Sequence, residues 1–566
     1  MKIFNATCTQ VARGTLCVVS SFALSAIFLS PTVAAPVEAP AAERAAGAPA
    51  FDILEFQVEG NTVLPVLAIE RALTPFTGPG KTLADVEAAR AALEKVYQDG
   101  GYLSVFVDIP EQRVGRPGDA DGGVVRLKVS EGRVERLWVS GSRYFSQGYI
   151  REQVTELTPG TVPNFNVVQQ QLGAVNRTED RRVQPVLRPG KEPGTVEAEL
   201  RVADRVPLSL NVELSNNYAP DTKPLRLTST LRYDNLFQRD HSLALTVVTS
   251  PADPGQTTVS VLNYTIPGAD GSAWALYGLH SNSKVEPLGT TTAIGRGNVV
   301  GLRYVMPLPA RKELSQLLTL GIDYKNFNQA VGNTPADTAN SHLLYAPLSL
   351  GYTLNTQGDG LQSQFNVVAT AGSRTVRASQ VDCLGYDTKQ DAFNCARSGA
   401  DEGFFTLRGD WRATQRLWGH WDAVVHLGAQ LANEPLVSNE QYSLGGADSV
   451  RGYLVGEVSG DHAVLGSLAV RSPNWVAPDE KGERPLSWLN ELNSYVFMDA
   501  ARAFVIDPLA GQDHSTGLSS VGLGLQFRAP GAGGLSGGID VAWPFNDTAY
   551  TTRHHPRAQA RVSAQF

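Results

Sequence analysis

Side chains capable of covalent or metal chemistry are few in this sequence. Cys383 and Cys395 lie close together in a polar segment that contains no His. In an exported protein such a pair predicts a loop-closing disulfide, because a metal site would need more ligands than this segment offers. His554 and His555 are adjacent but lack an evident third ligand, which favours a solvated pair. No His-Glu-x-x-His or P-loop pattern occurs, and the sequence therefore predicts no enzyme, no metal site, no cofactor and no nucleotide.

The composition narrows the class of protein. The chain has 566 residues, of which 18% are charged, and 48 Lys+Arg against 56 Asp+Glu give a net charge of -8. Without an excess of positive charge to hold a phosphate backbone, nucleic-acid binding is not expected. The low fraction of charged residues and the 54 Gly are also unlike the composition of a disordered chain. They are typical of a protein rich in short strands and turns.

The N-terminus predicts export. Lys2 and Arg13 precede a short apolar stretch that ends in small residues. These are the parts of a secretory signal peptide, which we place at residues 1–34 because Pro36 would block a cut directly before it. A membrane anchor is the alternative, but the stretch is shorter than the ~20 residues that span a bilayer. Residues 35–50 are rich in Ala, Pro and Glu, which predicts a flexible lead-in.

Two successive segments share one order of elements. In residues 51–132 the pattern predicts a strand, two helices and two strands, and the same order returns in residues 133–206. Leu137-Trp-Val-Ser-Gly141 opens the second segment where Phe56-Gln-Val-Glu-Gly60 opens the first. A strand-helix-helix-strand-strand unit in tandem after a signal peptide resembles the POTRA domain. An unrelated α+β domain is the open alternative.

Across residues 207–566 the helical period gives way to alternation. From Leu208 to Leu214 every second residue is apolar, and turn-forming breaks recur along the segment. A period of two gives one apolar and one wet face, and no further stretch reaches the roughly 18 apolar residues of a transmembrane helix. The chain ends in Phe566, on a strand with polar residues on its other face, as an outer-membrane barrel requires. We predict a transmembrane antiparallel β-barrel of about 16 strands rather than a β-sandwich.

Two strings in the barrel segment are distinctive. One runs Tyr442-Ser-Leu-Gly-Gly-Ala-Asp-Ser-Val-Arg-Gly-Tyr453, and the other runs Tyr495-Val-Phe-Met-Asp-Ala-Ala-Arg-Ala-Phe504. With the tandem units before them, these strings closely resemble the outer-membrane transporters of two-partner secretion, the haemolysin secretion/activation (ShlB/FhaC/HecB) type of the Omp85 superfamily. In that family a long extracellular loop, here around residues 440–460, folds back into the barrel.

The resemblance assigns roles within the two strings. It makes Arg451 the cation at the loop tip and Asp499 its partner on the barrel wall, in a Phe-x-Asp motif that includes Phe497. A bidentate guanidinium-carboxylate pair would give the loop a defined seat in a water-filled lumen. An ordinary surface ion pair, worth less than ~1 kcal/mol, is the alternative. The complete tip motif comprises Val450, Arg451, Gly452 and Tyr453.

Smaller features add to the resemblance or depart from it. Gly452 permits a tight tip, and Tyr453 offers a ring to pack and a hydroxyl to bond. Asp234-Asn-Leu-Phe237 is a further fragment in the style of the family. Many relatives carry an N-terminal helix that plugs the pore, but the proline-containing residues 35–50 do not favour a full plug helix.

The resemblance implies a function in protein export. The POTRA pair would bind an unfolded exoprotein in the periplasm, and the barrel would translocate it across the outer membrane of a Gram-negative bacterium. The implied partners are a secreted haemolysin-like or adhesin-like client and outer-membrane lipid, and activation of the client during passage stays open. One alternative is an assembly factor for outer-membrane proteins or autotransporters, although such relatives commonly carry more POTRA domains. A passive porin is the weaker alternative.

Overall fold

The computed structural model describes residues 50–114, 122–288, 291–311, 313–331, 339–374, 380–381, 388–478, 482, 484–509, 511–529 and 534–566. The predicted signal peptide and nearly all of the lead-in lie outside these ranges. Among the described residues, no helix is both long enough and apolar enough to cross a bilayer.

Residues 51–132, here called unit 1, form a small α+β fold. The single strand predicted at the start of this unit is two strands in the structure. The chain breaks at Leu54, and the first strand pairs elsewhere, with β3 (Gly78–Lys81). The main sheet has the order β2-β5-β4, and one face of α2 packs on it through Leu93 and Tyr97. A capping box between Thr82 and Asp85 starts α2. The elements are β1 (Phe51–Ile53), β2 (Glu55–Glu59), α1 (Val66–Leu73), β3 (Gly78–Lys81), α2 (Leu83–Asp99), β4 (Val105–Asp108) and β5 (Val124–Glu131).

Residues 133–206, here called unit 2, repeat the order of strand, two helices and two strands. The sheet order β6-β8-β7 matches that of unit 1, with β6 parallel and β7 antiparallel to the central strand. The two units touch, since Asn164 Nδ2 donates to Gly100 O at 2.9 Å and Val162 packs into the core of unit 1. The elements are β6 (Arg133–Ser140), α3 (Gln147–Gln153), α4 (Phe165–Val175), β7 (Arg181–Pro189) and β8 (Thr195–Asp204).

The rest of the chain is built around one closed antiparallel sheet. Among the described residues, the loops that join its strands contain four short strands, one short α-helix and one 3₁₀ turn at Trp418–His420. In chain order the elements are β9 (Leu208–Ser215), β10 (Arg226–Leu236), β11 (His241–Thr249), β12 (Thr258–Pro267), β13 (Ala273–Leu288), β14 (Thr291–Arg311), β15 (Leu314–Val331), β16 (Ala339–Tyr345), β17 (Leu348–Gln357), β18 (Leu361–Ala371), β19 (Gln380–Val381), β20 (Gln390–Asp391), α5 (Ala392–Ala396), β21 (Phe405–Arg416), β22 (Asp422–Ala432), β23 (Tyr442–Leu444), β24 (Val458–Gly460), β25 (His462–Arg471), β26 (Glu491–Phe504), β27 (Ser515–Arg528), β28 (Ser536–Pro544) and β29 (Arg557–Gln565).

The predicted barrel of 16 strands is confirmed within the described part of the chain. β16 and β17 count as one strand, because both pair with β15 and only a break at Pro347, which cannot donate a backbone hydrogen bond, separates them. β29 closes the barrel against β9. Phe566 extends this seam, since its N donates to Leu210 O at 2.8 Å and its O accepts from Leu210 N at 3.0 Å.

The two faces of the barrel wall differ as the alternation requires. Large apolar side chains such as Leu262, Leu320 and Leu523 are about half exposed on the strands, while Asp323 and Gln559 are buried. A belt of this kind fits contact with lipid. Exposed tryptophans cluster at the end of the barrel where β9 follows unit 2, and such aromatic belts mark a membrane interface: Trp274, Trp418, Trp475 and Trp488.

Antiparallel order sets the ends of the barrel. We call the end where unit 2 joins β9 the repeat side and the opposite end the far side. Because successive strands reverse direction, the connections 372–404 and 433–461 both lie at the far side, as do the shorter connections 216–225 and 545–556. Among the described residues, parts of both long connections turn into the barrel.

Candidate functional site

The loop of residues 433–461, here called the tip loop, enters the barrel from the far side. β23 and β24 pair as an antiparallel neck, with Tyr442 opposite Gly460. Beyond the neck, apolar residues of the loop pack on the inner wall: the buried cluster contains Leu444, Val450, Tyr453, Ala463, Leu465, Ala501, Ala503 and Leu518.

Arg451 and Asp499 are in direct contact inside the barrel. Nε and Nη2 of Arg451 donate to Oδ2 and Oδ1 of Asp499 at 2.8 and 2.7 Å, and the Arg451 backbone N donates to Oδ2 at 3.0 Å. The Asp499 side chain is fully buried and that of Arg451 is 12% exposed. A carboxylate that accepts a forked guanidinium and a backbone amide is fixed in orientation. The contact is therefore an interior ion pair and not an exposed surface salt bridge.

Neighbouring wall residues complete the seat of Arg451. Ser467 on β25 donates to Asp499 Oδ1 at 2.7 Å and accepts from Arg451 Nη2 at 3.2 Å. The guanidinium carbon lies 3.4 Å from the centroid of the Phe497 ring, which gives a cation–π contact. Asp540 on β28 lies 3.8 Å from Nη1. The Arg451 guanidinium thus contacts the carboxylates of Asp499 and Asp540 and the face of the Phe497 ring.

Gly452 allows the backbone of the tip to approach the wall. Its φ is +92°, and a Cβ there would lie 3.1 Å from the Cβ of Ala542 on β28. The Gly452 N donates to Gln559 Oε1 at 3.2 Å, and Gln559 Nε2 donates to Tyr453 O at 3.2 Å. A side chain at this position would combine backbone strain with a close contact, so glycine is required for this seat.

Tyr453 is fully buried between the tip loop and the wall. Its hydroxyl donates to Ser519 O at 3.0 Å and accepts from Asn546 N at 3.1 Å. Tyr453 lies in the loop and not in a strand, and burial raises the pKa of its hydroxyl. The hydroxyl therefore stays protonated and keeps donating at neutral pH.

Two neighbouring far-side loops also hold the tip loop. Ala447 N donates to Asn217 Oδ1 at 3.1 Å, in the connection after β9. Glu457 accepts from Thr551 Oγ1 at 2.8 Å, in the connection before β29. These contacts lie on both sides of the closing seam of the barrel, so the tip loop is tied to the connections that flank the seam.

A second loop turns into the barrel beside the first. In the connection between β18 and β21, Phe393 of α5 is buried and meets the Tyr345 ring edge-on at 5.1 Å between centroids. Cys395 in the same helix is disulfide-bonded. Cys383 lies outside the described residues, so the Cys383–Cys395 pairing stays a prediction. The apolar cluster joins this loop to the wall and to the tip loop: Leu343, Tyr345, Ala392, Phe393, Ala400, Phe404, Leu436 and Val437.

Charged groups connect the two loops to the wall. Glu440 at the base of the tip loop accepts from Lys325 Nζ and from the Tyr345 hydroxyl, both at 2.6 Å. Arg397 of the second loop lies 3.6 Å from Asp461, whose side chain is fully buried at the end of the tip loop. The described parts of the two loops therefore share one packed interface inside the barrel.

The sequence strings identified only part of this site. Val450, Arg451, Gly452, Tyr453, Phe497 and Asp499 meet in one place. Ser467, Asp540 and Gln559 were missed, although each occupies an inward position on an alternating strand, which is the signal that could have singled them out. No sequence pattern predicted the contact between Lys325 and Glu440, because these two residues lie far apart in the chain.

The remaining candidates lie elsewhere. His554 is in the connection before β29, near the Phe545 ring, and takes no part in the tip-loop seat. Phe566 lies at the closing seam on the repeat side. Across the described residues, no three His, Cys, Asp or Glu side chains come together in a group that could hold a metal.

Fold and site together define a closed 16-strand β-barrel that follows two small α+β units and holds a loop seated inside it. The fold is similar to that of CdiB from Escherichia coli, with a TM-score of 0.60 at 17% identity over 94% of this chain and 93% of that one. It is also similar to BamA from Haemophilus ducreyi lacking POTRA domains 1-3, with a TM-score of 0.54 at 16% identity over 91% of this chain and 100% of that one.

The sequence then gives the family within this class. The profile described as haemolysin secretion/activation protein ShlB/FhaC/HecB matches residues 194–527, and the POTRA domain of ShlB type matches residues 51–132. The chain belongs to the ShlB/FhaC/HecB family, and the predicted family and outer-membrane location are confirmed.

Individual relatives match over shorter stretches. The outer membrane transporter CdiB of Escherichia coli O6:K15:H31 is 25% identical over 198 residues, which is 35% of this chain and 32% of the relative. CdiB of Dickeya dadantii strain 3937 is 23% identical over 213 residues, which is 37% of this chain and 35% of the relative. The chain thus spans about a third of the length of the curated relatives that it matches.

Proposed function

We propose that this protein translocates an unfolded exoprotein from the periplasm to the cell surface. The observation that supports this most is the tip loop, which is seated in the barrel by side-chain contacts to the wall. Arg451 and Asp499 form the central contact, and the surrounding hydrogen bonds are of a kind that water in the lumen can replace. A loop held in this way closes the channel at rest and can be displaced by a passing chain.

We propose that both units act as periplasmic POTRA domains and that a client strand adds to an exposed sheet edge. Such addition uses backbone hydrogen bonds and tolerates varied side chains. Within the described residues, β4 of unit 1 pairs with β5 alone, and Phe106 on it is 61% exposed. By contrast, the edge strand β7 of unit 2 contains Pro185 and Pro189, which weaken strand addition. The β4 edge is therefore the preferred place of capture.

The driving force must come from the client itself. The sequence contains no P-loop, and we propose that the client folds outside the cell and that this folding makes return unfavourable. The relatives' transport role supports an exoprotein partner, and a haemolysin-like or adhesin-like client is the finer proposal.

Deleting the gene is expected to remove one large exoprotein from the culture medium. Comparative proteomics of the medium and of the outer membrane measures this. An unchanged medium with several barrel proteins lost from the outer membrane would favour the alternative function, an assembly factor for outer-membrane proteins. No change in either fraction would favour a passive pore and contradict the proposal.

Replacing Phe106 with serine is expected to weaken binding of a client fragment to the full chain in detergent. Losing about 1.5 kcal/mol of buried apolar contact corresponds to about tenfold in affinity. Leu83→Ser is the matched control, because Leu83 is 62% exposed at the start of α2 in the same unit and does not belong to β4. Equal affinities for the wild type and Phe106→Ser would exclude the β4 edge.

A further inference from the structure

Unit 2 is joined to the barrel by a buried ion pair. Arg181, at the start of β7, is 1% exposed, and its charge partner Asp240 belongs to the barrel turn between β10 and β11. Nη1 and Nη2 of Arg181 donate to Oδ1 and Oδ2 of Asp240, each at 2.9 Å. Both oxygens of the carboxylate are thus held by one guanidinium, in the geometry that fixes orientation as well as distance.

The guanidinium is also fixed within unit 2. Nε and Nη2 of Arg181 donate to Val175 O, the end of α4, at 3.0 and 2.6 Å. The guanidinium carbon lies 4.6 Å from the centroid of the Phe145 ring, which belongs to the core of unit 2. Contacts within unit 2 therefore hold the Arg181 side chain in the position from which it contacts the barrel.

The barrel turn is shaped to meet unit 2. Phe237, Gln238 and Asp240 have backbone φ values of +60°, +58° and +58°, in a region that residues other than glycine rarely adopt. Such a backbone persists where surrounding contacts over-determine it. Asn235 of the barrel supplies some of these contacts, since its Nδ2 donates to Gln238 Oε1 at 2.9 Å. Unit 2 supplies others, because Ser146 N donates to Gln238 Oε1 at 2.8 Å and Tyr149 OH donates to Arg239 O at 3.2 Å.

A second turn on the repeat side has a much weaker link to unit 2. Arg177 Nη1 donates to Gly268 O at 3.4 Å, which is near the limit for a hydrogen bond. The junction therefore depends on the turn between β10 and β11. The Asp234-Asn-Leu-Phe237 fragment forms the end of β10 and the first residue of this turn. Its Asn235 is buried and donates to Tyr144 O of unit 2 at 3.1 Å.

We infer that Arg181 and Asp240 form a clamp that holds unit 2 in one orientation at the periplasmic mouth of the barrel, so that a captured client is delivered into the channel along a fixed path. This inference rests on the proposed function. Domains in one chain move relative to each other by default unless their interface prevents it, and here a forked, buried pair across the junction prevents it. Arg181 is thus a positioning residue and does not itself bind the client.

The clamp can be tested by changing Asp240, its residue on the barrel, because this leaves the fold of unit 2 undisturbed. Asp240→Asn removes the charge but leaves every contact of Arg181 with Val175 and Phe145. Spin labels at the exposed positions Glu152 of unit 2 and Asp359 of a repeat-side turn report the distance between unit and barrel in the full chain. Export of the client and the amount of barrel in the outer membrane are measured in the same strains. Arg181→Lys, which keeps the charge but loses the fork, is the second variant.

The clamp predicts a broader distance distribution for Asp240→Asn and export reduced about tenfold, with an intermediate result for Arg181→Lys. Arg182→Ala and Arg239→Ala remove exposed neighbours of the two clamp residues and should behave as the wild type. An unchanged distribution in Asp240→Asn would overturn the clamp, and a broadened distribution with normal export would overturn its role in delivery. If the wild-type protein exports no client, the proposed function fails, while the distances still show whether the pair fixes unit 2.

Discussion

Arg451→Ala is expected to abolish most export while the barrel still assembles. The substitution leaves Asp499 fully buried without its counter-charge, and breaking a buried pair in this way costs about 3–5 kcal/mol. That cost falls on the seated tip loop, and it shifts the ratio of seated to unseated loop by about two to four powers of ten. The strand ladders of the barrel are untouched. Secretion of the client measures export, and heat-modified mobility measures assembly of the barrel. Pore conductance reports whether the tip loop is seated.

The pair allows an internal check on Arg451→Ala. Asp499→Ala should give the same loss of export, and the double variant should seat the tip loop better than Arg451→Ala, because the fully buried carboxylate is removed together with its counter-charge. Arg502→Ala is the matched control, since Arg502 is an exposed arginine on the same strand as Asp499. Normal secretion by both single variants would contradict the role assigned to the tip loop.

Phe393→Ala is expected to open the far side of the channel. Phe393 is 1% exposed and lies between the second loop and the wall, so truncation leaves a cavity and costs about 3–5 kcal/mol. The second loop should then leave the lumen, and the base of the tip loop, which shares its apolar cluster, should loosen with it. We expect a larger resting conductance in planar bilayers and greater sensitivity of cells to bulky antibiotics.

Phe405→Ala is the matched control for the second loop. Phe405 lies on β21, close to Phe393 in sequence, but it is 45% exposed on the barrel wall. It should leave conductance unchanged. If Phe393→Ala conducts no more than the wild type, the second loop does not help to close the channel. Glu440→Gln, which weakens the contact with Lys325, should raise conductance by a smaller amount because the apolar cluster is kept.

The sequence alone determined the class of fold. Alternation from Leu208 onward is a local property, because successive side chains of a strand point to opposite faces, and lipid and water on the two faces demand opposite chemistry. The order of helices and strands in the two units was equally local. The break at Leu54, which separates β1 from β2, escaped prediction because it depends on pairing with β3.

Only the tertiary structure decided which inward residues meet. Ser467, Asp540 and Gln559 come from three different strands, and closure of the barrel together with its strand register brings them to the tip of one loop. The Lys325–Glu440 pair and the Arg181–Asp240 clamp likewise join residues far apart in the chain. Alternation tells which face a side chain occupies, but its neighbour across the lumen or the domain junction is set by the geometry of the whole sheet.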